Sequence, residues 1–316
     1  LALAAEPVER KRFDRLFPCL QKPYHKLSTL FSWDLVRAAP HLSITKNLFQ
    51  LLIDTFGDEK LALSFTFQSK YLGMSPWDCP ALFAILPYIE HAFGVYHTRG
   101  GLCAISEAMR TVFERDQGEL RLNTKVEQIL VENGSACGVR LAGGEELRAD
   151  DVVINADFAH AASTLFPEGT LRKYTPAGLA RKRFSCSTFM LYLGVDKQYD
   201  MPHHTICFAN DYRTNVEEIF NRKTLSDDIS FYVRNASVTD DSIAPAGKSN
   251  VYVLLPVPNL RGQIDWTAER ARIRELLLDR IEARTEMSDL RQHIEVEKIV
   301  TPRSEERRVG KECATG

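Results

Sequence analysis

The stretch that decides the fold reads GGLCAISEAMRTVF (100–113), LNTKVEQILVENGSACGVRLAGGEEL (122–147) and DVVINAD (151–157). Apolar residues recur at helical spacing after Gly100-Gly101, which predicts an amphipathic helix entered through two glycines. Alternation from Leu120 to Val126 and the turn pair Asn133-Gly134 predict strands joined by a hairpin. The third stretch, 151–157, predicts a short apolar strand, which is followed by a helix over 158–166.

The first 93 residues predict several short helices. Apolar residues between Ile44 and Phe56 recur every three or four positions and stop at Gly57, a typical helix C-cap. This region is also the most aromatic part of the chain. Its composition fits either a packed helical core or the lining of an apolar tunnel.

Residues 170–302 predict a sheet with helices on one side, an α+β layer. Apolar or alternating runs mark five strands, at 188–195, 205–209, 229–233, 250–257 and 293–300. A helical pattern over Ala271–Arg284 lies between the last two. The length of 316 residues favours two domains over one compact domain, since single cores stop growing near about 250 to 300 residues. The fold class that we infer is a two-domain α/β protein.

Composition narrows the class of protein. The chain has 316 residues, 44% of them hydrophobic, and a formal net charge of −2, which excludes a disordered chain and disfavours nucleic-acid binding. The longest stretches without charge have 12 residues, too few for a membrane-spanning helix. The seven cysteines form no C-x-x-C pair, so we interpret them as reduced thiols of a cytosolic protein.

Self-contained catalytic motifs are missing from the sequence. It contains no G-x-S-x-G, H-E-x-x-H, P-loop or G-x-G-x-x-G. His203-His204 could bind a metal, but adjacent residues of a strand point to opposite faces and no further ligand flanks the pair. We therefore predict no metal site, and the two histidines are solvated or in the core.

The end of the chain differs in composition from the rest. Residues 303–312 carry seven charges in ten, and the run 303–313 resembles the translation of a sequencing adapter. We interpret 303–316 as a non-native tail; the alternative is a solvated native helix.

Several segments together, in this order and spacing, resemble the bacterial-type phytoene desaturases of carotenoid biosynthesis, within the amine-oxidase-like flavoprotein superfamily. The resemblance extends over almost all of residues 1–302. The segments that carry it are Gly94–Gly101, Leu122–Val126, Val152–Asp157, His203–Phe208, Val238–Pro245 and Tyr252–Pro258.

The resemblance implies a two-domain, FAD-dependent fold of the amine-oxidase type. It assigns 94–165 to part of the FAD-binding domain, and 1–93 with 166–302 to a substrate domain. The family's N-terminal dinucleotide-binding βαβ unit and its C-terminal glycine-rich segment have no counterpart here. We therefore expect an internal fragment that is inactive by itself.

The resemblance also implies residues that contact FAD. They are Val126, whose backbone approaches the adenosine, and the strand end Asn155-Ala156-Asp157. Gly100-Gly101 at a helix N-terminus suits phosphate, although a plain loop is the alternative. Asp157 fits equally well as the cap of the helix that follows.

The implied reaction is the desaturation of phytoene or a related polyprenyl hydrocarbon, with hydride passed to the flavin. The family has an acidic and a basic residue in the segment matching Asp34 and Arg37. We assign Asp34 as acid/base and Arg37 as its partner; an exposed ion pair between them is the alternative.

A hydrocarbon substrate implies a protein that works at a membrane surface. Because such a substrate resides in a bilayer, we expect a cytoplasmic protein that attaches peripherally to the membrane. The alternatives are a carotenoid isomerase, another polyene oxidoreductase of the superfamily, or a non-enzymatic prenyl-lipid binding protein.

Overall fold

The computed structural model describes Ser43 and residues 45–303, which form two compact units. Unit 1 contains 45–97 and 208–230, and unit 2 contains 98–207 and 231–303. The helices are α1 Leu48–Phe56, α2 Glu59–Ser64, α3 Ile85–Phe93, α4 Cys103–Arg115, α5 Phe158–Thr164, α6 Pro176–Ala180, α7 Tyr212–Glu217 and α8 Trp266–Arg284. The strands are β1 Val126–Glu132, β2 Ser135–Leu141, β3 Glu146–Arg148, β4 Ser187–Val195, β5 His204–Cys207, β6 Phe231–Asn235, β7 Ser249–Val257 and β8 Ile294–Val300.

Unit 1 is a helical unit with an aromatic core. Helix α1 begins after Asn47, whose side chain accepts the Gln50 N–H at 2.8 Å, and it ends at Gly57 in the left-handed conformation, as predicted. Phe56 and Phe65 stack at 4.9 Å between ring centroids, and both are buried. For these rings the structure favours a packed core over a tunnel lining.

The first sheet of unit 2 is an antiparallel meander in the order β1-β2-β3. The predicted hairpin is confirmed, because Asn133 and Gly134 have φ of 51° and 80°, the geometry that a two-residue turn requires. The predicted strand over 120–126 is wrong before Val126. Asn123 has φ of 53°, so the chain turns there and pairing begins only at Val126.

The second sheet of unit 2 has the order β5-β6-β7-β4-β8, with every adjacent pair antiparallel. All five predicted strands are confirmed, with shifts of up to two residues at their ends. Alternate residues of β4, from Phe189 to Val195, are buried on one face. Arg274 of α8 forms an ion pair at 2.7 Å with Glu297 of β8, so α8 lies on that buried face.

The predicted strand over 151–157 does not form. Residues 151–155 have no regular secondary structure, and Val153 is 92% exposed. Strands need a paired neighbour, and no described residue pairs with this run. The following helix is confirmed as α5.

The two compact units are defined by their internal contacts, whereas the predicted domains are defined by the ligand that each would bind. Residues 98–165 cluster with the five-stranded sheet, while 208–230 cluster with the helical unit. The predicted division into cofactor and substrate regions concerns ligands and stays a prediction. None of the described helices is long and apolar enough to cross a membrane.

Candidate functional site

The turn formed by Thr98–Gly101, here called the glycine turn, leads into α4. Gly100 and Gly101 both have φ of 81°, a conformation that favours glycine. The Gly100 N–H donates to Asp240 Oδ2 at 2.7 Å, and the Gly101 N–H donates to the Thr98 carbonyl at 2.8 Å. Both amides are therefore already hydrogen-bonded within the protein.

Asp240 is the residue that sequence reasoning missed. Its carboxylate is buried, and Oδ1 accepts the Ser242 N–H at 3.0 Å and the Ser242 hydroxyl at 2.5 Å. Asp240 thus joins its own turn, through Ser242, to the amide of Gly100, which lies 140 residues earlier in the chain. The only signal in the sequence was its place in the family-like segment Val238–Pro245.

Helix α4 exposes its apolar face. None of its residues is buried, and Met109 is 68% exposed. A shallow groove of about 890 Å³ runs along it; its apolar lining includes Ile105, Ala108, Met109, Val112 and Phe113. An apolar face of this size on a folded unit is typical of a surface that another segment or a ligand covers.

The remaining predicted cofactor residues lie on separate segments of unit 2. Val126 is half-buried at the start of β1, opposite Leu141. Asn155 is exposed and Ala156 half-buried. Asp157 caps α5, because its carboxylate accepts the His160 N–H at 2.8 Å. The cap is therefore present, whether or not Asp157 also contacts a cofactor.

The glycine turn fits a flavin cofactor in one respect and not in another. A Cβ placed on Gly101 would have no atom within 4 Å, so a flat ligand can approach its backbone closely. Phosphate is different, because it would need free N–H groups and a positive surrounding. The glycine amides are occupied, and the Asp240 carboxylate already lies beside them.

The two histidines contact hydroxyl groups. His203 precedes β5, so strand alternation does not separate the pair, and the rings lie 4.3 Å apart. His203 Nδ1 lies 2.6 Å from Thr239 Oγ1, and His204 Nδ1 lies 2.5 Å from the Tyr232 hydroxyl. Asp34 and Arg37 lie outside the described residues, so their assignment stays a prediction.

Comparison with known proteins shows the family to which the chain belongs. The profile of the family described as flavin containing amine oxidoreductase matches residues 10–285, and the chain belongs to this family. A solved structure of an oxidoreductase from Methanosarcina mazei shares the fold, with a TM-score of 0.59 and 18% identity over 90% of this chain and 62% of that chain. The predicted fold class and the resemblance are confirmed.

Within the family, the chain is similar to carotenoid desaturases. It is 55% identical to a 4,4'-diapophytoene desaturase (4,4'-diapolycopene-forming) from Methylomonas sp., over 94% of this chain and 58% of that protein. It is 40% identical to an all-trans-zeta-carotene desaturase from Myxococcus xanthus, over 84% of this chain and 51% of that protein. The chain thus spans little more than half the length of these relatives.

Proposed function

We propose that the protein containing this chain is an FAD-dependent desaturase of phytoene or a related polyprenyl hydrocarbon, acting in carotenoid biosynthesis. The observation that carries the proposal is the 55% identity to a diapophytoene desaturase over 94% of the chain. The family match over residues 10–285 supports the flavin part of the proposal.

The cofactor, when bound, supplies the acceptor for hydride. We assign the open backbone at Gly101, the half-buried Val126 and the segment Asn155-Ala156-Asp157 before α5 to the surface that adjoins FAD. Gly101 and Ala156 have little or no side chain, so a bulky ligand can come close to the backbone there. Asp34, with Arg37 as its partner, would hold or receive the proton.

We also propose that the exposed parts of unit 2 belong to an FAD-binding domain completed by further chain. The support is the coincidence of two unsatisfied features, the apolar face of α4 and the unpaired apolar run Val152–Ile154. A neighbouring strand would hydrogen-bond the run, and a packed layer would bury the helix face.

Expression of the complete gene product in a host that makes phytoene or 4,4'-diapophytoene tests the function. We expect products with more conjugated double bonds, identified by absorption spectra and mass. In the same host, Asp34→Asn should lower turnover about 100-fold with FAD content unchanged, since general acid–base catalysis contributes on that order. A substitution at exposed Glu168, Glu168→Gln, is the matched control and should leave turnover unchanged.

Other products would point to the other functions. Polyenes with an unchanged number of double bonds but altered geometry would indicate an isomerase, and bound but unaltered polyene would indicate a carrier. Either result would refute the desaturase proposal.

We further propose peripheral contact with a membrane through unit 1. Phe93, Val95 and Tyr96 are all exposed and follow one another along the chain, which suits insertion into a bilayer interface. Co-sedimentation with phosphatidylglycerol vesicles measures this contact, and recovery of the protein entirely in the supernatant would refute it.

A further inference from the structure

A segment of unit 2 between α5 and β4 carries positive charge and no negative charge. Residues 169–195 contain no Asp or Glu. This run has five exposed cations within residues 172–183, here called the basic segment: Arg172, Lys173, Arg181, Lys182 and Arg183. A surface with charge of one sign attracts partners of the opposite sign, so the basic segment suits an anionic partner.

Cations in the preceding part of the same unit are compensated by carboxylates. All the Lys and Arg residues of 98–165 form ion pairs: Arg99, Arg110, Arg115, Arg121, Lys125, Arg140 and Arg148. The first four cations of the basic segment form no ion pair with any residue that the structure describes. The fold therefore leaves these charges to solvent or to a partner.

The backbone at the end of the basic segment is held by residues that follow β7. Arg261 donates to the carbonyl of Ala180 at 2.9 Å and to that of Lys182 at 2.8 Å. Asn259 Nδ2 donates to the Ser185 carbonyl at 2.7 Å. The exposed Arg261 guanidinium thus adds a positive charge to this surface, and the cations project from a fixed backbone.

Stabilisation of helix α6 does not account for all of these charges. Arg181 and Lys182 follow its C-terminus, where the helix dipole favours positive charge. Arg172 and Lys173 precede its N-terminus, where the dipole disfavours positive charge. A Cβ placed on Gly178 would lie 3.3 Å from the Lys173 carbonyl oxygen, so the chain before α6 folds back against the helix. Both pairs of cations therefore border the same short helix.

We propose that the basic segment binds a carboxylate-rich surface of another protein. Arg181 Nε donates to the Ala177 carbonyl at 3.3 Å, which leaves both terminal amino groups of this guanidinium to bind a carboxylate. Arginines on a fixed backbone suit carboxylates that a folded partner holds in place, whereas mobile lipid headgroups require positive charge without such geometry. The net charge of −2 disfavours nucleic acid as the partner. The inference does not depend on the proposed function.

Fluorescence anisotropy of a fluorescein-labelled deca-glutamate peptide tests this surface. We expect the 316-residue chain and the complete gene product both to bind the peptide, more weakly as NaCl is raised from about 0.05 M to about 0.5 M, because salt screens exposed charges. The double substitution Arg181→Gln/Lys182→Gln should weaken binding about fivefold, since two exposed ion pairs with the peptide are lost.

Arg110→Gln/Arg115→Gln is the matched control, because it removes the same charge from two exposed arginines of α4 that already have carboxylate partners. Peptide binding should stay within about twofold of the original chain. Equal weakening by the two double substitutions would show a response to net charge alone and would overturn the site.

Three other results would also overturn the proposal. The first is no binding of the peptide, and the second is binding to the 316-residue chain but not to the complete gene product, which would mean that further chain covers the segment. The third is that Arg181→Gln/Lys182→Gln weakens binding to phosphatidylglycerol vesicles but not to the peptide, which would assign the surface to lipid. Because the assay does not measure turnover, peptide binding without desaturase activity would refute the proposed function alone.

Discussion

Asp240 and Asp241 are adjacent in the sequence but have different surroundings. Asp240 is 4% exposed and accepts hydrogen bonds from Gly100 and Ser242, whereas the Asp241 side chain is 89% exposed and pairs with Arg99 at 3.2 Å. Hydrogen bonds to a buried carboxylate stabilise a fold, while exposed ion pairs contribute little. Two identical side chains thus have separate roles.

Asp240→Ala should destabilise the chain by about 2 to 3 kcal/mol, because it leaves the Gly100 amide and the Ser242 hydroxyl without their acceptor. Urea unfolding measures the difference. Asp241→Ala is the control and should change the free energy of unfolding by less than about 0.5 kcal/mol. Equal effects of the two substitutions would show that the glycine turn does not depend on Asp240.

The contacts of Asp289 predict that the stability of the folded chain depends on pH. Its carboxylate accepts hydrogen bonds from Lys197 and from the Tyr199 hydroxyl at 3.0 Å. The hydrogen bond from Lys197, first among the causes, holds the pKa of Asp289 below its ordinary value of 3.8. A carboxyl with a lowered folded-state pKa contributes stability that is present above the unfolded pKa and is lost as the pH falls through the folded one.

We therefore expect the original chain to lose more stability than Asp289→Asn when the pH is lowered from about 5 to about 3. Urea midpoints at several pH values measure this difference. Parallel pH profiles for the original chain and Asp289→Asn would contradict the assignment.

At the scale of elements, α4 and the run 151–155 share one property. Both have the apolar pattern of a packed element, and both lie exposed among the described residues. The pattern records what an element is built to contact, whereas its burial depends on the presence of that contact. The same reasoning explains why α8, which has the sheet beside it, buries Ile273 and Leu277.

Met109→Lys tests whether further chain covers α4. In the 316-residue chain it should change stability by less than about 0.5 kcal/mol, because Met109 contacts mainly solvent. In the complete gene product we expect a loss of about 3 kcal/mol or more, since the charge would become buried without a partner. Thermal or urea unfolding of both proteins measures the change in the free energy of unfolding that Met109→Lys causes.

Met287→Lys is the control for this comparison. Because Met287 is fully buried, this substitution should destabilise both proteins. A neutral Met109→Lys in the complete gene product would contradict the proposal that α4 is covered there.

At the scale of the whole molecule, the chain divides into units that are not continuous in sequence. Residues 208–230 belong with the helical unit, although strands precede and follow them. Amino-acid pattern signals helices and strands but not which of them cluster, because clustering depends on contacts between distant residues. This is why the sequence predicted individual helices and strands but carried no signal for which of them belong to one compact unit.

The sequence by itself determined the local elements. Alternation specified the five strands of the large sheet, Asn133-Gly134 the hairpin and Gly57 the end of α1, because each of these signals acts within a few residues. Only the tertiary structure decided that Asp240 accepts the amide of Gly100, 140 residues away, and that the five strands pair in the order β5-β6-β7-β4-β8. Such contacts arise from strand order and register, which bring together residues that no local pattern relates.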